Sequence, residues 1–310
     1  MSVLPDLVLT FLILSAAVWT VAARDRRDSV IGFIVVGLLL SLVWMRLNAV
    51  DVALTEAAVG GGATGLLLLR ACSRLVEGES EAARPGTGMQ LVTAVLCCVI
   101  ASGLAAVVLF AVEPAPTLAP AAAAHMSEIG LGNPVTVVLL AYRALDTLLE
   151  KVVLVLALIG VWSLTPDHLW GGAPVPLRAE QPSGALRFLA QVLPPIGLVI
   201  GVYLVWNGAD RPGGTFQGGT ILSAMWLLIM MAGLSDPPET RLRTLRLLVV
   251  LGPVVFLAAG ISGFWIADGF LSYPMDYAKL IIVGIEFALA LSIAVILAML
   301  VAGPSARAPQ

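Results

Sequence analysis

Charged residues are scarce in this 310-residue chain, where Asp, Glu, Lys and Arg together make up 12%. A soluble domain carries about 25%, so a fully solvated surface is excluded. Disorder-promoting residues do not fill the gap, because 59% of the chain is hydrophobic, and a disordered polypeptide is excluded as well. Cysteine occurs three times and histidine twice. Cys72, Cys97 and Cys98 have no metal-ligand spacing, so no metal site is expected. Cys97 and Cys98 adjoin inside an apolar run, where interior packing is the expected role. Lys and Arg are scattered at the edges of apolar runs rather than gathered in a patch, which argues against nucleic acid as a partner.

What is present is long apolar runs. A bilayer core needs about 20 residues of helix per crossing. Nine runs approach that length, at about 3–23, 29–45, 49–70, 89–112, 134–163, 186–207, 215–234, 245–266 and 277–302. They are helix-length rather than alternating ten-residue strands. The expected fold is therefore all-α, a polytopic bundle of nine transmembrane helices in a lipid bilayer.

The net charge of −3 is less telling than how the charges are sorted. With the N-terminus outside, the inner loops hold Arg24, Arg26, Arg27, Arg70, Arg74, Arg84, Arg178, Arg187, Arg241, Arg243, Arg246 and Arg307, and the outer loops only Arg46 and Arg211. That asymmetry predicts an N-out, C-in orientation. The first run lacks a basic n-region and is followed by "RDRRD", so an anchor rather than a cleaved signal is expected.

Two Pro/Gly-containing inner loops, "EGESEAARPGTG" (77–88) and "TPDHLWGGAPVPLRAEQPSG" (165–184), punctuate the chain. They suggest three parts, 1–76, 77–184 and 185–310. The outer loop 113–133 contains an Ala run able to form a short surface helix.

Polar residues inside apolar runs need a partner, water or a task. Four places hold them. In "LLAYRALDTLLEKVVLVLAL" (139–158), a rotation of about 100° per residue puts Arg143, Asp146 and Glu150 on one helical face, with Lys151 a further step round. Glu150 falls near mid-membrane. Two readings stand: a self-neutralising ladder that eases insertion, or a proton relay. In the third run, Asp51 is placed to cap the helix, Glu56 lies deeper, and Gly60, Gly61 and Gly62 come after it. The glycine triplet permits a kink, a π-bulge or close helix packing. In "NGADRPGGTFQGGTILSA" (207–224), Pro212, Gly213 and Gly214 form a turn with Gln217 beside it. A tight re-entry hairpin fits better than an anion cradle, since phosphate-loop spacing is missing. In the last run, Lys279 can snorkel outward, whereas Glu286 sits near mid-membrane and needs a partner such as Lys151.

The segment "SVIGFIVVGLLLSLVWMRLNAVDVALTEAAVGGGATGLLLL" resembles the MbhD-type domain of membrane-bound hydrogenases and large Mrp antiporter subunits. "NPVTVVLLAYRALDTLLEKVVLVLALIGVWSL" resembles the MbhE-type segment, with Arg143, Asp146, Thr147 and Glu150 matching its pattern. The stretch from "GADRPGGTFQGG" to the C-terminus resembles the MnhB/MrpB subunit family, although Ala209 stands where many members have His. The resemblance implies a fused, non-enzymatic subunit of a sodium/proton antiporter, without a cofactor, in a bacterial or archaeal cytoplasmic membrane. It implies other antiporter or respiratory-complex membrane subunits as partners, H+ and Na+ as the ions, and an ion path through Glu56, Glu150 and Glu286, with Arg143, Asp146 and Lys151 beside it. A redox-driven hydrogenase-like complex and a non-conducting scaffold remain the alternative readings.

Overall fold

The computed structural model describes residues 3–75, 86–111, 117–177 and 182–309. Arg84, Glu113, Arg178 and most of the expected acidic loop 77–88 lie outside the described residues. Among the described residues the chain is all-α apart from one short strand pair. Its helices are α1 (Val3–Ala22), α2 (Arg26–Arg46), α3 (Val50–Thr55), α4 (Gly65–Leu75), α5 (Thr87–Leu109), α6 (Ala119–Ala124), α7 (Met126–Ile129), α8 (Pro134–Val137), α9 (Ala144–Ser163), α10 (Gly184–Asn207), α11 (Thr215–Met231), α12 (Arg243–Ile266) and α13 (Ala278–Ala302). A π-helical segment (Glu56–Thr64) joins α3 to α4, and a π-turn (Val138–Tyr142) joins α8 to α9. The strands β1 (Ala173–Pro174) and β2 (Ser305–Arg307) pair antiparallel.

Among the described residues, seven helices are long and apolar enough to cross a membrane: Val3–Ala22, Arg26–Arg46, Val50–Ser73, Thr87–Leu109, Gly184–Asn207, Arg243–Ile266 and Ala278–Ala302. The sequence suggested two more. One of them, Thr215–Met231, is a shorter apolar helix of 17 residues. The other, 134–163, is not one continuous α-helix. The π-turn interrupts it, and the 20-residue α9 beyond the turn carries Asp146, Glu150 and Lys151.

Residues Met1–Cys72 and Met126–Gln310 form one compact unit and Ser73–His125 another. The second unit holds α5, whose sequence has no charged residue, and α6, built on the expected Ala run. Cys97 and Cys98 are exposed on α5, contrary to the expected interior packing. A helix that is apolar all round gives every face the same solvent in a bilayer, so burial habits learned in water fail there.

Within the first unit α13 is the central helix, packing against α9, α10, α11 and α12. One cluster joins Val137, Leu140 and Leu148 to Phe256, Ile282, Ile285 and Leu289. A second joins Leu158 to Val249, Val295, Ile296 and Met299. Lipid tails are as apolar as Leu, so close packing rather than water exclusion selects these contacts. Small residues permit the closest ones: a Cβ on Gly218 of α11 would meet Gly201 O of α10 at 2.6 Å. Ser292 of α13 donates to Val249 O of α12 at 2.6 Å, which satisfies a buried hydroxyl across the helices.

Where α9 and α13 end, Ser305 of β2 donates its N–H to Thr165 Oγ1 at 3.1 Å and its hydroxyl to Gly172 O at 2.8 Å. Thr240 N also donates to Gly172 O, at 2.9 Å. Thr165, Thr240 and Ser305 are all buried, so this clasp accounts for its own polar groups.

Candidate functional site

The site is built on three local irregularities. The first is the π-turn. Arg143 N donates to Val138 O, five residues back, at 2.8 Å, and Arg143 leaves helical geometry at φ −124°, ψ 36°. Thr147 Oγ1 donates to the carbonyl of Leu139 at 2.6 Å. The extra residue in the turn breaks the rotation that a continuous helix would have kept. Arg143 follows the turn as the N-cap of α9. It pairs with Asp146 at 2.5 Å, with both side chains exposed.

The second irregularity is the nine-residue π-helical segment that contains the glycine triplet. Glu56 opens it, and its carboxylate folds back over Gly60 and toward Gly37 of α2. A Cβ on Gly37 would meet Gly61 N at 3.2 Å, so α2 lies directly on this segment.

The third is the turn 207–214. Gly213 and Gly214 take φ of 153° and 133°, which side chains rarely adopt. Gly213 N donates to Asp51 Oδ1 at 2.9 Å. Asp51 is thus not the cap of α3, since Ala49 occupies the N-cap position; its carboxylate ties the turn down instead. Asn133 caps α8 through its Oδ1, and its Nδ2 donates to Gly208 O at 3.1 Å and Arg211 O at 3.0 Å. Lys279 donates to both oxygens of Asp210, at 2.8 and 2.7 Å. These hydrogen bonds hold the exposed Asp210 carboxyl below the usual carboxylate range. Pro212 is an exposed residue of the same turn.

Between these elements lies a cavity of about 400 Å3, lined by Asp51, Thr55, Glu150, Lys151, Gln217 and Glu286 among others. Lys151 is 4% exposed. Its Nζ lies 3.3 Å from Glu150 Oε1 and 3.6 Å from the centre of the Phe216 ring. A desolvated ammonium gains from both contacts. The Glu150 side chain is 53% exposed, so the pair runs from the unit's interior to its surface. Glu286 is 2% exposed; Thr215 is its side-chain neighbour, and Oε2 has no hydrogen-bond partner among the described residues. Gln217 Nε2 donates to Thr55 Oγ1 at 2.9 Å, which joins α11 to α3.

The structure therefore gathers Glu150, Lys151, Glu286, Gln217, Gly213 and Gly214 around one cavity. Glu56, Arg143, Asp146, Gly60, Gly61, Gly62 and Pro212 do not line it. Sequence reasoning missed Asn133, Phe216 and the tertiary role of Asp51. The Asn-Pro pair at 133–134 is a helix-start signal that pointed to the first. No local signal pointed to the others. Among the described residues no group of three His, Cys, Asp or Glu is placed to hold a metal ion.

Two families match the chain. One, described as a domain related to the MnhB subunit of Na+/H+ antiporter, matches residues 185–305. The other, MbhD, described as the D subunit of MBH, matches residues 11–77. An uncharacterized protein of Methanocaldococcus jannaschii is 27% identical over 162 residues, which cover 47% of this chain and 62% of that protein. The A subunit of a Na+/H+ antiporter from Bacillus subtilis is 29% identical over 163 residues, 51% of this chain and 20% of the relative. A chain in the structure of the Mrp complex from Dietzia sp. DQ12-45-1b superposes with a TM-score of 0.74 at 25% identity, covering 98% of this chain and 35% of that one. The chain thus spans less than two-thirds of the length of each of these relatives. It is a multi-pass membrane protein that carries an MbhD domain and an MnhB-related domain in one polypeptide.

Proposed function

We propose that the chain is a membrane subunit of an Mrp-type multisubunit sodium/proton antiporter, and that the cavity between α3, α9, α11 and α13 is a station on its proton or cation route. One observation carries this reading: a buried lysine, Lys151, faces a cavity walled by two acids, Glu150 and Glu286. Glu150 holds the ammonium at 3.3 Å, while Glu286 keeps an unpartnered oxygen. An acid without a counter-charge in an apolar place favours its protonated form, and an ammonium brought near it favours release. Movement of the Lys151 ammonium between the two acids loads one as it unloads the other. Glu56, beside the π-helical segment, is a further station. The exposed Arg143–Asp146 pair lies nearer the start of α9 and tunes the approach.

In this reading the chain makes nine crossings, N-out and C-in, with 134–163 and 215–231 completing the seven longer helices. Its parts are an MbhD-like module (1–76), an MbhE-like module (77–184) and an MnhB-like module (185–310). It sits in a bacterial or archaeal cytoplasmic membrane beside other antiporter subunits. Sodium-driven proton movement in everted vesicles tests the reading. Glu286→Gln and Glu150→Gln abolish exchange while the complex still assembles on native gels. Normal exchange by both variants removes these acids from the route.

Two other readings rest on particular observations. The half-exposed Glu150 suits a scaffold whose ion pairs bind a neighbouring subunit; Glu150→Gln then disperses the complex. The MbhD match suits a related redox-driven assembly; an iron–sulfur or nickel subunit then co-purifies.

A further inference from the structure

Hydroxyl groups in the helices of this chain commonly bond to a carbonyl one turn back. Thr10, Thr20, Thr55 and Thr93 donate to the residue four positions earlier, at 2.8, 2.8, 2.9 and 3.0 Å. Ser41, Ser163 and Ser262 donate to the residue three positions earlier, each at 2.7 Å. This local bond is the ordinary way a hydroxyl is satisfied in a membrane helix.

Thr220 and Ser223 of α11 depart from the pattern. They are 8% and 2% exposed. Neither hydroxyl oxygen has a hydrogen-bond partner among the described residues. The two residues line a second cavity, of about 170 Å3, walled on its other sides by Ala58 and Gly62 of the π-helical segment and by Leu297 of α13. A buried hydroxyl without a partner is unfavourable, and ordered water is the usual remedy where space allows.

The two cavities run along one seam. Thr55 and Val59 line the first and Ala58 and Gly62 the second, a step of about one turn; on α11 Gln217 lines the first and Thr220 and Ser223 the second. Gln217, Thr220 and Ser223 recur every third residue and so keep to one side of the helix. Glu286 Oε2, on the wall of the first cavity, is another unpartnered buried oxygen in this unit.

We infer that the second cavity is a water-binding site, in which the Thr220 and Ser223 hydroxyls hold a short file of water that extends the polar seam from the Glu286 cavity toward the Met231 end of α11. Two neutral hydroxyls suit water. A dehydrated cation needs a fuller shell of oxygens, such as a ring of carbonyls supplies. The role of the water rests on the route proposed above; its binding does not.

Radiolytic hydroxyl-radical labelling tests the inference on the intact complex. Brief X-ray exposure makes radicals from water in place, and these mark adjacent side chains. Leu227 and Leu297 line the cavity, whereas Leu158 and Leu289 are buried in helix–helix clusters. The first pair is labelled severalfold faster than the second. Equal rates overturn the inference. The excess disappears in a Thr220→Val, Ser223→Ala double variant and persists in Thr220→Ser, which keeps the hydroxyl; an excess that survives the double variant also overturns it. Because labelling reads water and not transport, a dry cavity defeats this inference and leaves the Glu286 reading standing. Normal exchange by Glu286→Gln does the reverse.

Discussion

Removing the Asp51 side chain should loosen the turn 207–214 without disturbing the helices. Asp51 Oδ1 accepts the Gly213 N–H at 2.9 Å. It also faces Asn133 Nδ2 at 3.4 Å, too long to count for much. Gly213 is buried, so in Asp51→Ala its N–H loses this acceptor. A hydrogen bond to a charged group contributes about 1.5–3 kcal/mol. At about 1.4 kcal/mol per decade, the opening equilibrium of the turn shifts by roughly tenfold to a hundredfold. Asp51→Asn keeps a carbonyl acceptor but loses the charge, and charge roughly doubles such a bond, so about half the free-energy loss is expected. Hydrogen exchange read by mass spectrometry on the peptide spanning 208–215 is the assay, with peptides from α13 as the control. Protection falls in the order wild type, Asp51→Asn, Asp51→Ala. An unchanged turn in Asp51→Ala, or equal losses in the two variants, refutes the account of Asp51 as the anchor of the turn.

Helix contact through glycine gives a second prediction. In Gly218→Ala the new methyl would meet Gly201 O and Val205, and overpacking of this kind costs about 1–3 kcal/mol. Gly160→Ala meets nothing within 4 Å and is neutral to stabilising; thermal denaturation in detergent separates them, and equal midpoints sink the packing claim. The Asp210–Lys279 pair gives a third. Because Asp210 titrates below its ordinary value of 3.8, the pair stabilises the turn above that pH and the contribution fades as pH falls through the lowered value. Exchange at 208–215 therefore rises in acid in the wild type, and Lys279→Met flattens that rise; a Lys279→Met profile matching wild type rules the pair out.

Much of the architecture was legible because a bilayer imposes a simple length rule, and Val3–Ala22, Arg26–Arg46 or Ala278–Ala302 satisfy it with few interruptions. The glycine triplet at 60–62 likewise announced an irregular helix, since three residues without side chains weaken the α-helical register. The site was less legible. Helical arithmetic presumes a constant turn, and the π-turn before α9 voids that assumption between Pro134–Val137 and α9. Asp51 read as a cap from its place at the head of α3. Its real contact, Gly213, lies 162 residues away, where no periodicity reaches. Lys151 stood out as a charge in an apolar run, yet that Phe216 would cover it depends on how α9 meets α11.

The clasp of β1 and β2 has a consequence for biosynthesis. Thr165 and the Ser305 it binds are 140 positions apart. A ribosome adding about 5–20 residues per second makes the second partner roughly 7–28 seconds after the first. During that interval α10 to α13 are synthesised while the hydroxyl of Thr165 and the carbonyl of Gly172 lack these partners. Closing the clasp is thus a late event in the making of the chain, possible only once all four intervening helices have been synthesised.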